Sequence, residues 1–178
     1  MLQPHVDAVD INFGCPTEDA RKGGHNSHSP RCRRFGAYLL PSLPLVKRLV
    51  STLASGLKVP VTAKIRLLAT ERATLDTACA IEEAGAAALC VHARTVKQRP
   101  KYADRDPSGA VGQAPNWAAV AAVRRAVGIP IIANGGIEHL DDALRCLDET
   151  GAAAVMSAEA LLEDPDLFDE SRPARLGE

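Results

Sequence analysis

VDAVDINFGCP, Val6 to Pro16, decides how the rest of the chain is read. Val6, Val9, Ile11 and Phe13 supply the β-branched and aromatic residues of a short buried strand, and Gly14 with Pro16 ends it abruptly. Cys15 is thereby left at a strand's C-terminal end. In parallel α/β proteins chemistry collects at that end, because the loops there converge on one mouth.

Composition sets the frame. A chain of 178 residues that is 46% hydrophobic and 24% charged has ordinary globular composition and the length for one domain with a real core. Aromatics are only 3%, which suits close helix-on-sheet packing. A net charge of −1 names no partner. Cys15, Cys32, Cys79, Cys90 and Cys146 are odd in number and irregularly spaced, which argues against a disulfide framework and for a reducing compartment. No run approaches 18 uncharged apolar residues and the start MLQPHVDAVD has no signal core, so the expectation is an intracellular protein off the membrane. The cytoplasm is the first choice of compartment, with nucleus and organelle left open, and no obligate protein partner is evident.

After Cys15, TEDARKGGHNSHSPRCRRFGAYLL has no period and reads as a loop. Ser42 to Leu57 then carries Leu45, Val46, Leu49, Val50 and Leu53 on one helical face. Val59 to Leu67 is a second strand, Thr74 to Ala84 a second helix ended by Gly85, and Ala88 to Arg94 a third strand. Thr95 to Pro115 is a long loop, and long loops in compact domains are often functional. Asn116 can cap a third helix bearing Val120, Val123 and Val127. Ile129 to Gly136 is a fourth strand. Leu140, Ala143, Leu144 and Leu147 form the stripe of a fourth helix, Ala152 to Ala158 is a fifth strand, and the tail from Glu163 turns polar.

Strands alternating with helices, each strand nearly all apolar and bounded by glycine, predict a parallel sheet with both faces covered. Polar residues stand at all five strand ends: Asn12 and Cys15, Lys64 and Arg66, His92 and Arg94, Asn134 with Gly135 and Gly136, and Ser157 with Glu159. Five such ends in register describe a site.

INFGCP, TAKIRL, VHARTVKQ, IIANGGI and VMSAEALLEDPDLF, in this order and at these separations, resemble the tRNA-dihydrouridine synthases, the last motif looking like the eukaryotic type that acts on the D-loop. The match runs from about Val6 to Phe168. The resemblance implies a TIM (β/α)8 barrel that binds FMN, followed by a small helical tRNA-binding domain. Residues 1–168 would be a partial barrel holding strands four to eight, and 169–178 a polar tail. The first three strands and the helical domain would lie outside this sequence, since a whole barrel takes about 250 residues.

The implied reaction reduces the carbon 5 to carbon 6 double bond of a uridine in tRNA, with NADPH or NADH as reductant. Reduced FMN delivers hydride to carbon 6, and an acid protonates carbon 5 from the other side. Cys15 matches the family's proton donor; read from its residue type alone it is more often a small buried apolar side chain. Asn12 is carried over as a contact to the uracil edge, where an amide can both donate and accept, with a strand-end turn cap as the other reading. Lys64 and His92 correspond to residues touching the flavin ring; otherwise they are a snorkelling lysine and a satisfied core histidine. Arg94, with Arg66, would face substrate phosphate or pair with an acid.

Asn134, Gly135 and Gly136 resemble the family's FMN-phosphate loop, with the helix from about His139 aiming its positive end at the phosphate. Ala158 and Glu159 stand where many bacterial members have Gly-Arg; the pair is a departure in which only the Ala158 backbone N–H remains to offer.

HNSHSPRCRR, interposed between Gly24 and Phe35, is an apparent insert that makes Arg21 to Arg34 a run of five cations without an acid. It could add phosphate contacts to tRNA or be a plain disordered insert. His25, His28 and Cys32 fall short of a zinc set without a fourth ligand, so no metal is expected. Two other readings stay open: an FMN barrel acting on a free pyrimidine, such as a dihydroorotate dehydrogenase, and a non-catalytic partial barrel.

Overall fold

The computed structural model describes residues 5–23, 34–97, 114–169 and 171. The insert with His25, His28 and Cys32, most of the loop between Lys97 and Pro115, and the end of the polar tail lie outside the described residues.

Five strands, β1 (Val9–Phe13), β2 (Val61–Leu67), β3 (Ala88–Thr95), β4 (Ile131–Asn134) and β5 (Ala154–Met156), form one parallel sheet in the order of the chain. The helices between them are α1 (Glu18–Lys22), α2 (Leu43–Gly56), α3 (Glu71–Glu83), α4 (Trp117–Ala126) and α5 (Leu140–Thr150); α6 (Glu159–Glu163) follows β5. Because every crossover steps to the next neighbour and such crossovers are right-handed, the connecting helices fall on one side of the sheet.

Burial follows from this. Phe13, Ala63, Ile65, Leu89, Val91, Ile131 and Ala133 are buried in one core with Val46 and Val50 of α2, Ile81 of α3, Val120 and Val123 of α4 and Cys146 of α5. Each such fully buried Ile or Val contributes about 1.5–3 kcal/mol over its exposed state. The alternate positions face the other way. The register Asn12↔Lys64↔Cys90↔Ile132 and, one step on, Arg66↔His92↔Asn134↔Met156 sets polar groups side by side across the sheet. The expectation of a sheet covered on both faces is therefore corrected: helices cover one face, and the other carries the polar strand positions. That is the arrangement of a barrel wall, helices outside and a concave inner face.

Local signals explain where the elements differ from the sequence reading. Residues Glu18–Lys22 are helical, not loop, because the Thr17 hydroxyl accepts from Ala20 N–H at 3.3 Å and Gly23 ends the turn. Helix α3 starts a turn earlier than Thr74, capped by Thr70, whose hydroxyl accepts from Ala73 N–H at 3.2 Å. Asn116 caps α4 as its position predicts, its Oδ1 accepting from Ala119 N–H at 3.0 Å. Of the stripe expected on α5, Ala143 is buried and Leu140 and Leu147 are half-buried, but Leu144 is 54% exposed, and Cys146 and Thr150 complete the buried face in its place.

Candidate active site

A cavity of about 220 Å³ lies at the C-terminal ends of β2 to β5. Lys64, Arg66, His92, Arg94, Asn134, Gly135, Gly136, Ala158 and Glu159 all line it, joined by Glu138 and Ser157. A larger hollow of about 740 Å³ beside Leu40, Leu43, Leu67 and Val96 is mostly apolar and brings no comparable set of polar groups together.

Crowding of cations on a half-buried wall sets the electrostatics. Burial pushes the Lys64 ammonium down from its ordinary value, with Cys90 and Arg66 as smaller influences. Burial also lowers Arg66, and Arg94 beside it adds to the effect. His92 is pushed down to about 3, first by burial and then by Arg66, Lys64 and Arg94. It is therefore a neutral imidazole at ordinary pH. Arg94 Nη1 stands 3.5 Å from His92 Nε2. A guanidinium only donates, so Nε2 accepts and the ring proton belongs on Nδ1.

Arg94 lies in the same cavity as the glycine loop; burial pushes it down from its ordinary value, and the carboxylates of Glu159 and Glu138 oppose that shift. Asn134 Nδ2 donates to the Met156 carbonyl at 2.9 Å, which leaves its second N–H as the donor for an anionic ligand. Ser157 Oγ donates to the Ile137 carbonyl at 2.8 Å and so ties the turn after β5 to the turn after β4. Gly135 and Gly136 have φ of +102° and +77°. A Cβ at Gly136 would stand 2.5 Å from Pro115 Cγ, and one at Gly135 would stand 2.9 Å from His92 Cδ2. Only glycine permits this turn to run so close to the site wall.

The helix expected to aim at a phosphate is partly answered by its own acid. Asp142 Oδ2 accepts from both Glu138 N–H and His139 N–H at 3.1 Å, so those two donors of the α5 end are already used.

Cys15 and Asn12 do not line this cavity. Asn12 lies in β1 and Cys15 on the turn after it, and Arg66 joins that turn to the cavity: its Nε donates to the Gly14 carbonyl at 2.9 Å and its Nη1 to the Thr95 carbonyl at 3.1 Å. The next two carbonyls of the turn are held as well, Cys15 O by Ala37 N–H at 3.0 Å and Pro16 O by the Tyr38 hydroxyl at 3.0 Å. Asn12 Oδ1 accepts from Gly14 N–H at 2.9 Å and Cys15 N–H at 3.1 Å. The turn-cap reading of Asn12 is thus the one its oxygen follows, and only its Nδ2 donors are left for a base. Cys15 Sγ, half-buried, contacts the Thr17 hydroxyl at 3.3 Å.

Thr17, Tyr38, Glu138 and Trp117 were not singled out by sequence. Thr17 could have been found as an N-cap three residues before Ala20. The partners of the others are distant along the chain and leave no local signal.

The donor set suits a flavin phosphate ester. Lysine and arginine surround a neutral imidazole, and a two-glycine turn leaves the room that side chains would fill. No His, Cys, Asp and Glu cluster that could hold a metal occurs among the described residues, and none of their helices is long and apolar enough to cross a membrane.

Comparison with known proteins agrees with the motifs. A tRNA-dihydrouridine(16/17) synthase-like protein of Rattus norvegicus is 38% identical over 174 residues, covering 98% of this chain and 35% of its own length. The tRNA-dihydrouridine(16/17) synthase of Schizosaccharomyces pombe is 35% identical over 169 residues, 93% of this chain and 37% of its own. The chain thus spans about a third of the length of these relatives. Among solved structures, the dihydroorotate dehydrogenase of Eimeria tenella superposes with a TM-score of 0.63 over 94% of this chain and 48% of that one, at 17% identity, which shows the barrel fold alone. The model of the dihydrouridine synthase family matches residues 1–177, and the chain belongs to that family.

Proposed function

We propose that this chain carries the flavin-side catalytic wall of a tRNA-dihydrouridine synthase, reducing the carbon 5 to carbon 6 double bond of a uridine in the tRNA D-loop with NADPH or NADH as reductant. The relatives' names support the substrate, the reductant and positions 16 and 17. The observation that carries the reading is Arg66: it lines the cation-rich cavity and also holds the Gly14 carbonyl, which ties the Cys15 turn to that cavity's wall.

In this reading FMN, when bound, supplies the hydride. Lys64 and neutral His92 hold the flavin ring, His92 through its Nδ1–H. Asn134, the Gly135–Gly136 turn and Arg94 hold the phosphate. Arg94 is thus assigned to the cofactor's phosphate, not to substrate, because it shares a cavity with the glycine turn. Asn12 Nδ2 donates to a carbonyl of the uracil. Cys15 holds its proton on Sγ at the mouth and transfers it to carbon 5, while the Thr17 hydroxyl orients the thiol. The free thiols of Cys15, Cys79, Cys90 and Cys146 support a reducing, intracellular setting.

The test is the absorbance spectrum of the purified protein, followed by uridine reduction in tRNA. Bound, reducible flavin is expected, and Cys15→Ala should keep the flavin while product formation falls by about 100-fold or more, the scale of general acid catalysis. Flavin bound with turnover of free pyrimidine and none of tRNA would favour the free-pyrimidine barrel. Absence of flavin in the full-length protein would leave the non-catalytic reading.

A further inference from the structure

We propose that Trp117 is a positioning residue for the phosphate turn: its indole N–H pins the Gly135 carbonyl and so directs the Gly136 N–H at the cofactor's phosphate. This rests on the flavin reading above and deepens it.

The geometry has three parts. Trp117 Nε1 donates to the Gly135 carbonyl at 3.0 Å. Gly135 O and Gly136 N belong to one peptide unit, and in a planar trans peptide the C=O and N–H point in opposite directions. Holding the oxygen on the Trp117 side therefore sends the N–H away from it. Glycines at φ +102° and +77° have no Cβ to restrict rotation of that peptide, so something outside the turn must choose its orientation.

Trp117 is itself fixed. Trp117 is 8% exposed, and the Arg145 guanidinium lies over its ring at 5.1 Å from the centroid. Trp117 opens α4, next to the Asn116 cap, and Asn116 N–H donates to the Ala93 carbonyl at 2.8 Å. Pro115, on the same approach, packs where a Gly136 Cβ would stand. The indole N–H is thus delivered from a helix start anchored to β3, one residue before Arg94. A buried indole needs an acceptor, but any carbonyl would serve that need. Its acceptor here is a carbonyl of the glycine turn, whose orientation sets the Gly136 N–H.

The experiment compares FMN with riboflavin, which differ only in the phosphate. Dissociation constants are measured by quenching of flavin fluorescence, in the full-length protein and in Trp117→Phe, with Arg145→Met as a variant that keeps the indole donor. Trp117→Phe should weaken FMN binding about 10-fold and leave riboflavin binding within about two-fold, since one hydrogen bond to a charged group is lost. Arg145→Met should keep the wild-type ratio. Equal losses for both flavins, or no loss for FMN, would overturn the positioning role. No binding of either flavin to the parent protein would instead overturn the flavin reading itself. Should Trp117→Phe fail to fold, benzothienylalanine at position 117, isosteric but lacking the N–H, carries the same comparison.

Discussion

His92 shows how a single residue's surroundings decide its chemistry. Its register partners are Arg66 on one side and Asn134 on the other, and Arg94 stands 3.5 Å from Nε2, so protonation would set a cation among cations. The depressed value, about 3 against an ordinary 6.5, has a stability consequence with a definite sign. Between those values the unfolded chain binds a proton that the native state refuses, so stability falls as pH drops from about 6.5 toward 3 and is level above it. The slope from this group approaches at most about 1.4 kcal/mol per pH unit. Urea unfolding of the ligand-free protein at pH 4.5, 5.5 and 6.5 measures it. His92→Asn, which cannot titrate, should remove that share of the slope; an unchanged slope would show that His92 is not the group refusing the proton. At this scale the sequence was informative where chemistry follows an apolar run, as at Lys64, His92 and Asn134. It was silent on Arg66, Tyr38 and Trp117 as anchors, because their partners Gly14, Pro16 and Gly135 lie 52, 22 and 18 residues away along the chain.

Two glycines at element ends separate conformational need from mere tolerance. Gly136, between β4 and α5, has φ +77° and meets Pro115 where a Cβ would be. Gly56 closes α2 with nothing within 4 Å of an added Cβ. Gly136→Ala should therefore destabilise the protein by about 2 kcal/mol and weaken FMN binding, since a strained left-handed alanine and a clash act together. Gly56→Ala should be neutral or stabilising by up to about 1 kcal/mol, because alanine is the better helix former and loses less entropy. Thermal melts of the two variants side by side check the pair; equal destabilisation would mean that the Gly136 turn relaxes freely. Elements of ten residues or more were legible from period and caps, α4 with Asn116 most clearly. The five-residue helices α1 and α6 were not, because a single turn shows no periodicity and its stability comes from caps and packing.

At the scale of the molecule the sheet has two open ends. Each of β1 and β5 pairs with one neighbour among the described residues, where a closed barrel has no edges at all. The two edges are guarded unequally. Strand β1 carries Asp10, whose carboxylate accepts from the Thr62 hydroxyl at 2.8 Å, and a charge on an edge strand discourages pairing with another chain. Strand β5 is Ala-Val-Met with no charge. The elements flanking it expose Leu144 by 54% and Leu162 by 86%, while Phe168 is 41% exposed. Apolar surface beside an unguarded edge is where a second molecule would add. The isolated 178-residue chain is therefore expected to self-associate, and through the β5 side. Sedimentation across a 100-fold concentration range should show mass rising with concentration, and Leu144→Glu with Leu162→Lys should shift the chain toward monomer without altering its circular dichroism. A substitution at the β1 edge, Val9→Lys, should have the smaller effect, since Asp10 already blunts that edge. A sharp, cooperative, monomeric melt of the unmodified chain without flavin would refute the expectation, and would mean that five strands and their helices close a stable core without the rest of a barrel.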